Sequence, residues 1–334
     1  MNTKKWTTLL CAALIGAGVA ALIGAGVAAP ALADDYPSRP IRMEVGYAAG
    51  GPTDVIARIL AKRMSESLNT SIVVENKPGA SASIAANDVM RAEPDGYKVL
   101  VTSLTLNVNP LLYPERYNYD AVKDFTPVGN FAKLPMVVVT SYGSPYKTMQ
   151  ELVAAAKASP DKLTFGSSGI GGSAHLTAEM LANMTGARMM HVPFKGNGPA
   201  LQEMLAGRIS FMFYPSVGIA NYVAQKQLRV LAIGTREPQP DFPGVPTLES
   251  LGYPGFDEAA TWVGMLAPPA TPKAIVDKLN RAANEALADP AVRQQLASLG
   301  ALADGGTPQQ FSQFLVQDRK RWADVIKKGN VKGE

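Results

Sequence analysis

The 334 residues carry 32 lysines and arginines against 28 acids, a net charge of +4, with one cysteine and two histidines. Charges of both signs are scattered, without the basic stripe a nucleic-acid partner needs, so no nucleic-acid role is expected. A lone cysteine, Cys11, rules out an internal disulfide, and two histidines leave little material for a metal centre, so none is expected.

Lys4 and Lys5 precede an apolar run over about 9–29, in which the octet ALIGAGVA at 13–20 repeats at 21–28. Ala31-Leu32-Ala33 then offers a small-x-small cleavage site. This pattern predicts a signal peptide over 1–33, cleaved after Ala33, and export to the periplasm; an uncleaved anchor is the alternative, since a run that long could span a bilayer. Cys11 sits at the start of the apolar run, whereas a lipid-attachment cysteine should follow it. No second long apolar run occurs, so a soluble exported chain of about 300 residues is expected, enough for one large domain or two lobes.

Beyond residue 36, strand and helix signals alternate. Residues 41–47 read as a strand, 53–68 as a helix with Val55, Ile56, Ile59, Leu60 and Met64 on one face, and 72–75 as a short strand. A helix over 82–91 and a strand over 97–102 flank the turn Glu93-Pro94-Asp95-Gly96. Further strands are predicted at 137–140, 163–166, 189–192, 209–214, 228–234 and 262–267, with helices at 148–158 and 173–184. Three C-terminal helices, 272–287, 290–299 and 308–328, each open on a proline. Such alternation implies an α/β fold with mostly parallel sheets flanked by helices.

Two loops match. Gly50-Gly51-Pro52-Thr53-Asp54 and Gly171-Gly172-Ser173-Ala174-His175 both set a Gly-Gly pair after a strand and before a helix, with a polar residue three positions after the second glycine. A helix N-terminus presents free N–H groups and partial positive charge, and glycines let the backbone approach a ligand. Such ends suit a carboxylate or phosphate. Lying about 120 residues apart, one in each half, they could face a common cleft and hold the two ends of one ligand.

Enzyme signals fail on inspection. Gly169-Ile170-Gly171-Gly172-Ser173-Ala174 fits G-x-G-x-x-A, but the region about 20 residues on, Met189 to Phe194, lacks the acidic residue a dinucleotide site wants. Gly166-Ser167-Ser168-Gly169 has the wrong spacing for a nucleophile elbow. Ser173, His175 and Asp54 could be imagined as a triad, though cap and loop roles account for them.

The sequence resembles the substrate-binding proteins of tripartite tricarboxylate transporters, the Bug family. The likeness is carried by Tyr36-Pro37-Ser38-Arg39-Pro40-Ile41, Tyr47 to Asp54, Asn76-Lys77-Pro78-Gly79-Ala80, Pro94-Asp95-Gly96-Tyr97, Phe165 to Gly169, Gly172 to Leu176, His191 to Gly196, Val245-Pro246-Thr247 and Gly264 to Pro268. It implies a two-lobed periplasmic-binding-protein type II fold with a hinge, no catalysis and no cofactor. Lobe one is expected over 34–132 plus 259–334, and lobe two over 133–258. Lobe closure would capture a carboxylate held by backbone N–H and hydroxyl groups, often through water. Gly50, Gly51, Thr53 and Asp54 are expected to serve lobe one, and Ser167, Ser168, Gly169, Gly172, Ser173 and His175 lobe two. Thr102, Ser103, Leu104, Asn107 and Tyr214 would read the rest of the ligand, and Tyr47, Phe213, Tyr214 and Trp262 could stack on an aromatic acid. The ligand classes implied are dicarboxylates, tricarboxylates, acidic amino acids and aromatic carboxylates. The implied partners are the transporter's membrane permease subunits, with the receptor itself a monomer. An exported Ser/His hydrolase and a ligand-sensing partner of a membrane receptor kinase are the alternatives.

Overall fold

The computed structural model describes residues 36–333 apart from 195 and 217; the expected signal segment 1–33 lies outside them. In chain order the elements are β1 (Ile41–Val45), α1 (Pro52–Ser67), β2 (Ile72–Asn76), α2 (Ser83–Met90), β3 (Lys98–Thr102), α3 (Thr105–Leu112), β4 (Thr126–Leu134), β5 (Met136–Ser141) and α4 (Met149–Ala158). There follow β6 (Thr164–Ser167), α5 (Ser173–Thr185), β7 (Met190–Pro193), α6 (Asn197–Leu205), β8 (Phe211–Pro215), α7 (Ala220–Ala224) and β9 (Leu228–Ile233). The chain closes with β10 (Thr261–Ala267), α8 (Lys273–Ala288), α9 (Pro290–Ser298), β11 (Leu302–Ala303) and α10 (Pro308–Lys328).

Helix starts follow local chemistry. Proline occupies the first turn of α1, α9 and α10, where its missing N–H costs nothing. Thr148 with Glu151 and Thr307 with Gln310 form reciprocal capping boxes on α4 and α10. Along α8, Ile275, Val276, Leu279, Ala282, Ala283, Ala286 and Leu287 bury one helical stripe.

The strands form two sheets. The first has six strands in the order β11-β4-β10-β3-β1-β2, the second five in the order β7-β6-β8-β5-β9. The chain passes from the first to the second at Pro135, between β4 and β5, and returns between β9 and β10. Both sheets are mixed, which corrects the expectation of mostly parallel pairing. Strand β1 pairs parallel with β2 and β3, and β6 with β7 and β8. The strands adjoining the crossings run the other way: β10 is antiparallel to β3 and β4, and β5 to β8 and β9. A strand that enters a sheet from the other lobe arrives without a βα crossover, so nothing forces it parallel.

Each sheet has its own core. Met136, Val138, Phe165, Phe211, Phe213 and Phe256 are buried against α4 and α5 residues in the second sheet. Leu100, Trp262, Leu266, Phe311 and Leu315 are buried in the first. A further cluster joins the two: Leu104, Val108 and Leu112 of the α3 region, Leu176 of α5, and Trp322 and Val325 of α10. Helix α10 thus packs on helices belonging to both sheets.

Candidate functional site

The two Gly-Gly loops fold alike. Gly50 and Gly171 take positive φ, +79° and +76°, which glycine adopts without steric cost. Gly51 and Gly172 are N-caps with φ, ψ of −75°, 164° and −68°, 159°. Gly51 N–H donates to Ala48 O at 3.3 Å and Gly172 N–H to Gly169 O at 3.2 Å. The first turn closes from Val55 to Gly51 and from Leu176 to Gly172, both at 3.0 Å. The helical N–H groups before those bonds therefore have no partner within the helix.

Each loop is locked by the polar residue four positions after its first glycine. The Gly50 N–H donates to Asp54 Oδ2 at 2.8 Å, and the Gly171 N–H donates to His175 Nδ1 at 3.1 Å. Asp54 also accepts from Arg58 Nε at 3.0 Å and from Asn76 Nδ2 at 2.8 Å, and Asn76 donates to Tyr47 O. Burial pushes the Asp54 carboxyl up, but the hydrogen bonds from Arg58, Gly50 and Asn76 outweigh it and hold the group below its ordinary value. His175 accepts through Nδ1, so its proton sits on Nε2, 3.7 Å from Glu179. Its ring stacks on His191 at 3.7 Å between centroids and 7° between planes, and His191 stacks in turn on Phe165. Burial, then the neighbouring His175, pushes the His191 imidazole down to about 3.

Between the loops lies a cavity of about 260 Å³. Its wall holds Pro52 and Thr53 of α1, Ser103 to Thr105 at the start of α3, Gly172 and Ser173 of α5, and Gly196 and Asn197 of α6. Four helix N-termini therefore converge there, two from helices following first-sheet strands and two from helices following second-sheet strands. Tyr47, Leu134, Ser168, Pro215 and Thr261 complete the wall, none of these residues being charged. A wider hollow of about 710 Å³ lies elsewhere, at the C-terminal end of α6 near Leu205, Ala206 and Tyr222. A helix C-terminus carries partial negative charge, the wrong polarity for an anion.

Of the residues expected at the site, Tyr47, Thr53, Ser103, Leu104, Ser168, Gly172 and Ser173 line this cavity. The Tyr47 hydroxyl lies 2.7 Å from Thr105 Oγ1, and burial raises its pKa. The others serve behind the wall. Gly50, Gly51, Asp54 and His175 shape the loops and spend their hydrogen bonds within them. Ser167 is fully buried, its Oγ 2.6 Å from His191 Nε2, donating to Gly169 O and accepting from Gly169 N–H. Thr102 is fully buried at the end of β3. Asn107 turns inward, donating to Asp318 Oδ2 at 2.8 Å and Leu315 O at 3.0 Å. Tyr214 packs into the second-sheet core, as does Phe213, and Trp262 is buried in the first. The imagined triad does not exist, because Asp54 and His175 sit in separate loops, each occupied by its own glycine N–H. Sequence reasoning missed Thr105, Asn197 and the helix ends that carry them; Asn197-Gly198-Pro199 was the available signal for α6.

The sequence pattern of the tripartite tricarboxylate transporter family receptor (TctC) matches residues 56–331. The chain belongs to this receptor family. Protein BugT of Bordetella pertussis is 36% identical over 334 residues, covering 99% of each chain. The solved structure of the periplasmic binding protein BugD aligns with a TM-score of 0.77 at 33% identity, over 90% of this chain and 100% of that one. A Rhodopseudomonas palustris protein, MatC, solved with malate bound, aligns at TM-score 0.76 and 32% identity, over 87% and 100% of the chains. Another R. palustris protein, Rpa4515, solved with adipate, gives 0.79 and 31%, over 89% and 99%. As a member of the TctC receptors, the chain is a solute-binding component of a tripartite transporter and not an enzyme. Family members are periplasmic binding proteins, and among the described residues no helix is long and apolar enough to cross a membrane.

Proposed function

We propose that this receptor captures a small carboxylate in the periplasm, by closure of its two lobes, and delivers it to the membrane permease subunits of its transporter. The observation that carries this reading is the convergence of four helix N-termini, two from each sheet, on one cavity. Unpaired N–H groups and aligned peptide dipoles stabilise an anion, and the hydroxyls of Thr53, Ser103, Ser168 and Ser173 add donors. Among the described residues no lining side chain supplies a full positive charge, and the donors they offer are oriented dipoles and hydroxyls. That arrangement suits a carboxylate, whose lone pairs accept several directed hydrogen bonds. The adipate and malate held by the two R. palustris relatives support the same chemistry.

A thermal-shift screen tests it. A ligand present at 100 times its dissociation constant stabilises by about 2.7 kcal/mol. Carboxylates should raise the melting temperature while their amides and methyl esters do not. Gly172→Val should weaken the response, since a Cβ at Gly172 comes within 2.9 Å of Ser168 Oγ. A screen in which only uncharged solutes stabilise would overturn the carboxylate reading.

A further inference from the structure

Four consecutive residues before α2, Gly79, Ala80, Ser81 and Ala82, take positive φ: +131°, +45°, +52° and +70°. Only the first is glycine. For a residue with a Cβ, the left-handed region costs about five- to thirtyfold in equilibrium population, and it is visited by single residues, not runs. Such strain persists only where the surroundings impose it. Here Asn109 of α3 imposes it, donating through Nδ2 to Ser81 O at 2.9 Å and to Ser83 Oγ at 3.0 Å. The Tyr117 hydroxyl donates to Ala80 O at 3.3 Å. Ala82 is buried on the bare backbone of Gly46, where an added Cβ would come within 2.5 Å of Ala82 Cβ. The turn is thus wedged between the end of β1 and α3. Both neighbours lead to the cavity: Tyr47 follows Gly46, Thr105 opens α3, and their hydroxyls meet at 2.7 Å. From another side α3 meets the second-sheet loop, with Leu112 and Val108 packed on Gly171 and clustered with Leu176. Asn109 adjoins Val108, so a shift of α3 under the Gly171 loop is carried to the turn.

We propose that this turn is a strained strut that lowers carboxylate affinity and speeds release, with Asn109 as the positioning residue that couples it to lobe closure. The proposal rests on the lobe-closure reading above and adds what opposes closure. With the lobes together, the Gly171 loop seats on Leu112 and Val108, α3 is held, and Asn109 keeps the turn left-handed. When the lobes part, α3 is free to shift and the turn relaxes. Strain present in one state and absent in the other enters the equilibrium between them, so it subtracts from the affinity of the closed form. Reopening is the step that delivery to a permease requires, and the strut favours it.

Ala80→Gly and Ser81→Gly test the proposal, because both positions are exposed and glycine accepts the left-handed region freely. The intact protein is titrated calorimetrically with succinate, adipate, malate, citrate and benzoate, and release rates are followed by stopped-flow tryptophan fluorescence. Each acid that binds the parent should bind either glycine variant about fivefold tighter or more, the gain lying in slower release. Asn109→Ala frees the turn in both states. Adding Ala80→Gly to it should therefore change affinity by less than about twofold, the non-additivity that marks coupled residues. Tyr117→Phe, which removes the bond to Ala80 O, is the second background if Asn109→Ala fails to fold. A turn with a purely structural role would move the melting temperature and leave affinity alone. Equal affinities in the parent and both glycine variants would overturn this proposal and leave the carboxylate reading standing. If no acid binds the parent, the carboxylate reading falls, and small-angle scattering decides the strut by itself. The unliganded glycine variants should then be more compact than the parent, and an unchanged radius of gyration would overturn this proposal as well.

Discussion

Asp54 and His175 occupy equivalent places in the two halves of the molecule: each accepts the N–H of a glycine four residues before it, at 2.8 Å and 3.1 Å. One uses a carboxylate and the other a neutral imidazole. In both cases the bond pins a left-handed glycine at the mouth of a helix whose N-terminus lines the cavity. The matched geometry makes these residues loop-shaping groups that set the direction of the N–H donors at each helix mouth.

The Asp54 carboxyl titrates below its ordinary 3.8 in the folded protein. The unfolded chain therefore binds a proton more readily. Its stabilising contribution is complete above about pH 4 and disappears as pH falls through the folded value. Asp54→Asn should lose about 1–3 kcal/mol at pH 7, because a carboxamide cannot accept from Gly50, Arg58 and Asn76 together. Between pH 4 and 2 the variant should lose less than the parent. Urea unfolding at those pH values measures both, and parallel losses would remove Asp54 from the loop's acid response.

The second loop should respond at milder acidity. His191 falls from 6.5 to about 3 through burial, then the charge it would share with His175. The unfolded state again takes the proton first. This stability is fully present above about pH 6.5 and declines through the window from 6.5 to 3. The slope approaches about 1.4 kcal/mol for each pH unit. Ligand affinity should fall in the same window, since protonation of the His191 ring disturbs the stack that shapes the 167–172 loop. Denaturation at pH 7.5 and 5.0 checks it, and His191→Phe should flatten the dependence. A parent protein equally stable at both pH values would refute the assignment.

The two left-handed glycines should differ in tolerance. A Cβ on Gly50 meets nothing within 4 Å, whereas one on Gly171 meets Leu112 Cδ1 at 2.5 Å and Val108 Cγ1 at 3.2 Å. Gly50→Ala should cost about 1–2 kcal/mol, the left-handed penalty alone. Gly171→Ala should cost more, because it also pushes α3 away from the second-sheet loop. Chemical denaturation of the two variants gives the ranking, and equal costs would show that α3 yields freely.

These loops were legible in the sequence because glycine has few other reasons to recur before a helix, and the alternation of strands and helices was equally plain. Other features depend on partners far along the chain. Helix α3 is eight residues long and contains Pro110 and two asparagines, so its apolar stripe of Leu104, Val108 and Leu112 is too short and too interrupted to read as a helix. Asn107 makes sense only beside Asp318, 211 residues away. Strand β4 carries Pro127, Gly129 and Lys133 and earns its place through the pairing with β10. With α3 and α6 unseen, half of the helix ends at the cavity went unread. Strand direction is likewise invisible to a two-residue periodicity, so β5 and β10 could not be told from parallel strands. A polar residue four after a glycine also looks the same in sequence whether it meets a ligand or its own loop, as Asp54 and His175 do with Gly50 and Gly171.

Asp318 is the clearest test of how the C-terminal helix supports the site. Its carboxylate is completely buried and accepts from Asn107 Nδ2, from Trp262 Nε1 at 3.2 Å and from Trp322 Nε1 at 2.9 Å, with Arg321 at 3.6 Å. Burial raises its pKa despite those donors. Asp318→Ala leaves two indole N–H groups and one N–H of the Asn107 amide unpaired in the core, so the loss should reach about 3 kcal/mol or more. Asp318→Asn keeps one acceptor and should lose less. Because Asn107 belongs to α3, whose first turn lines the cavity, carboxylate affinity should fall in Asp318→Ala even at temperatures where the variant is fully folded. Calorimetric titration well below the melting temperature separates the two effects. Unchanged affinity in a destabilised variant would mean that α10 stabilises the fold without positioning the helix end that meets the ligand.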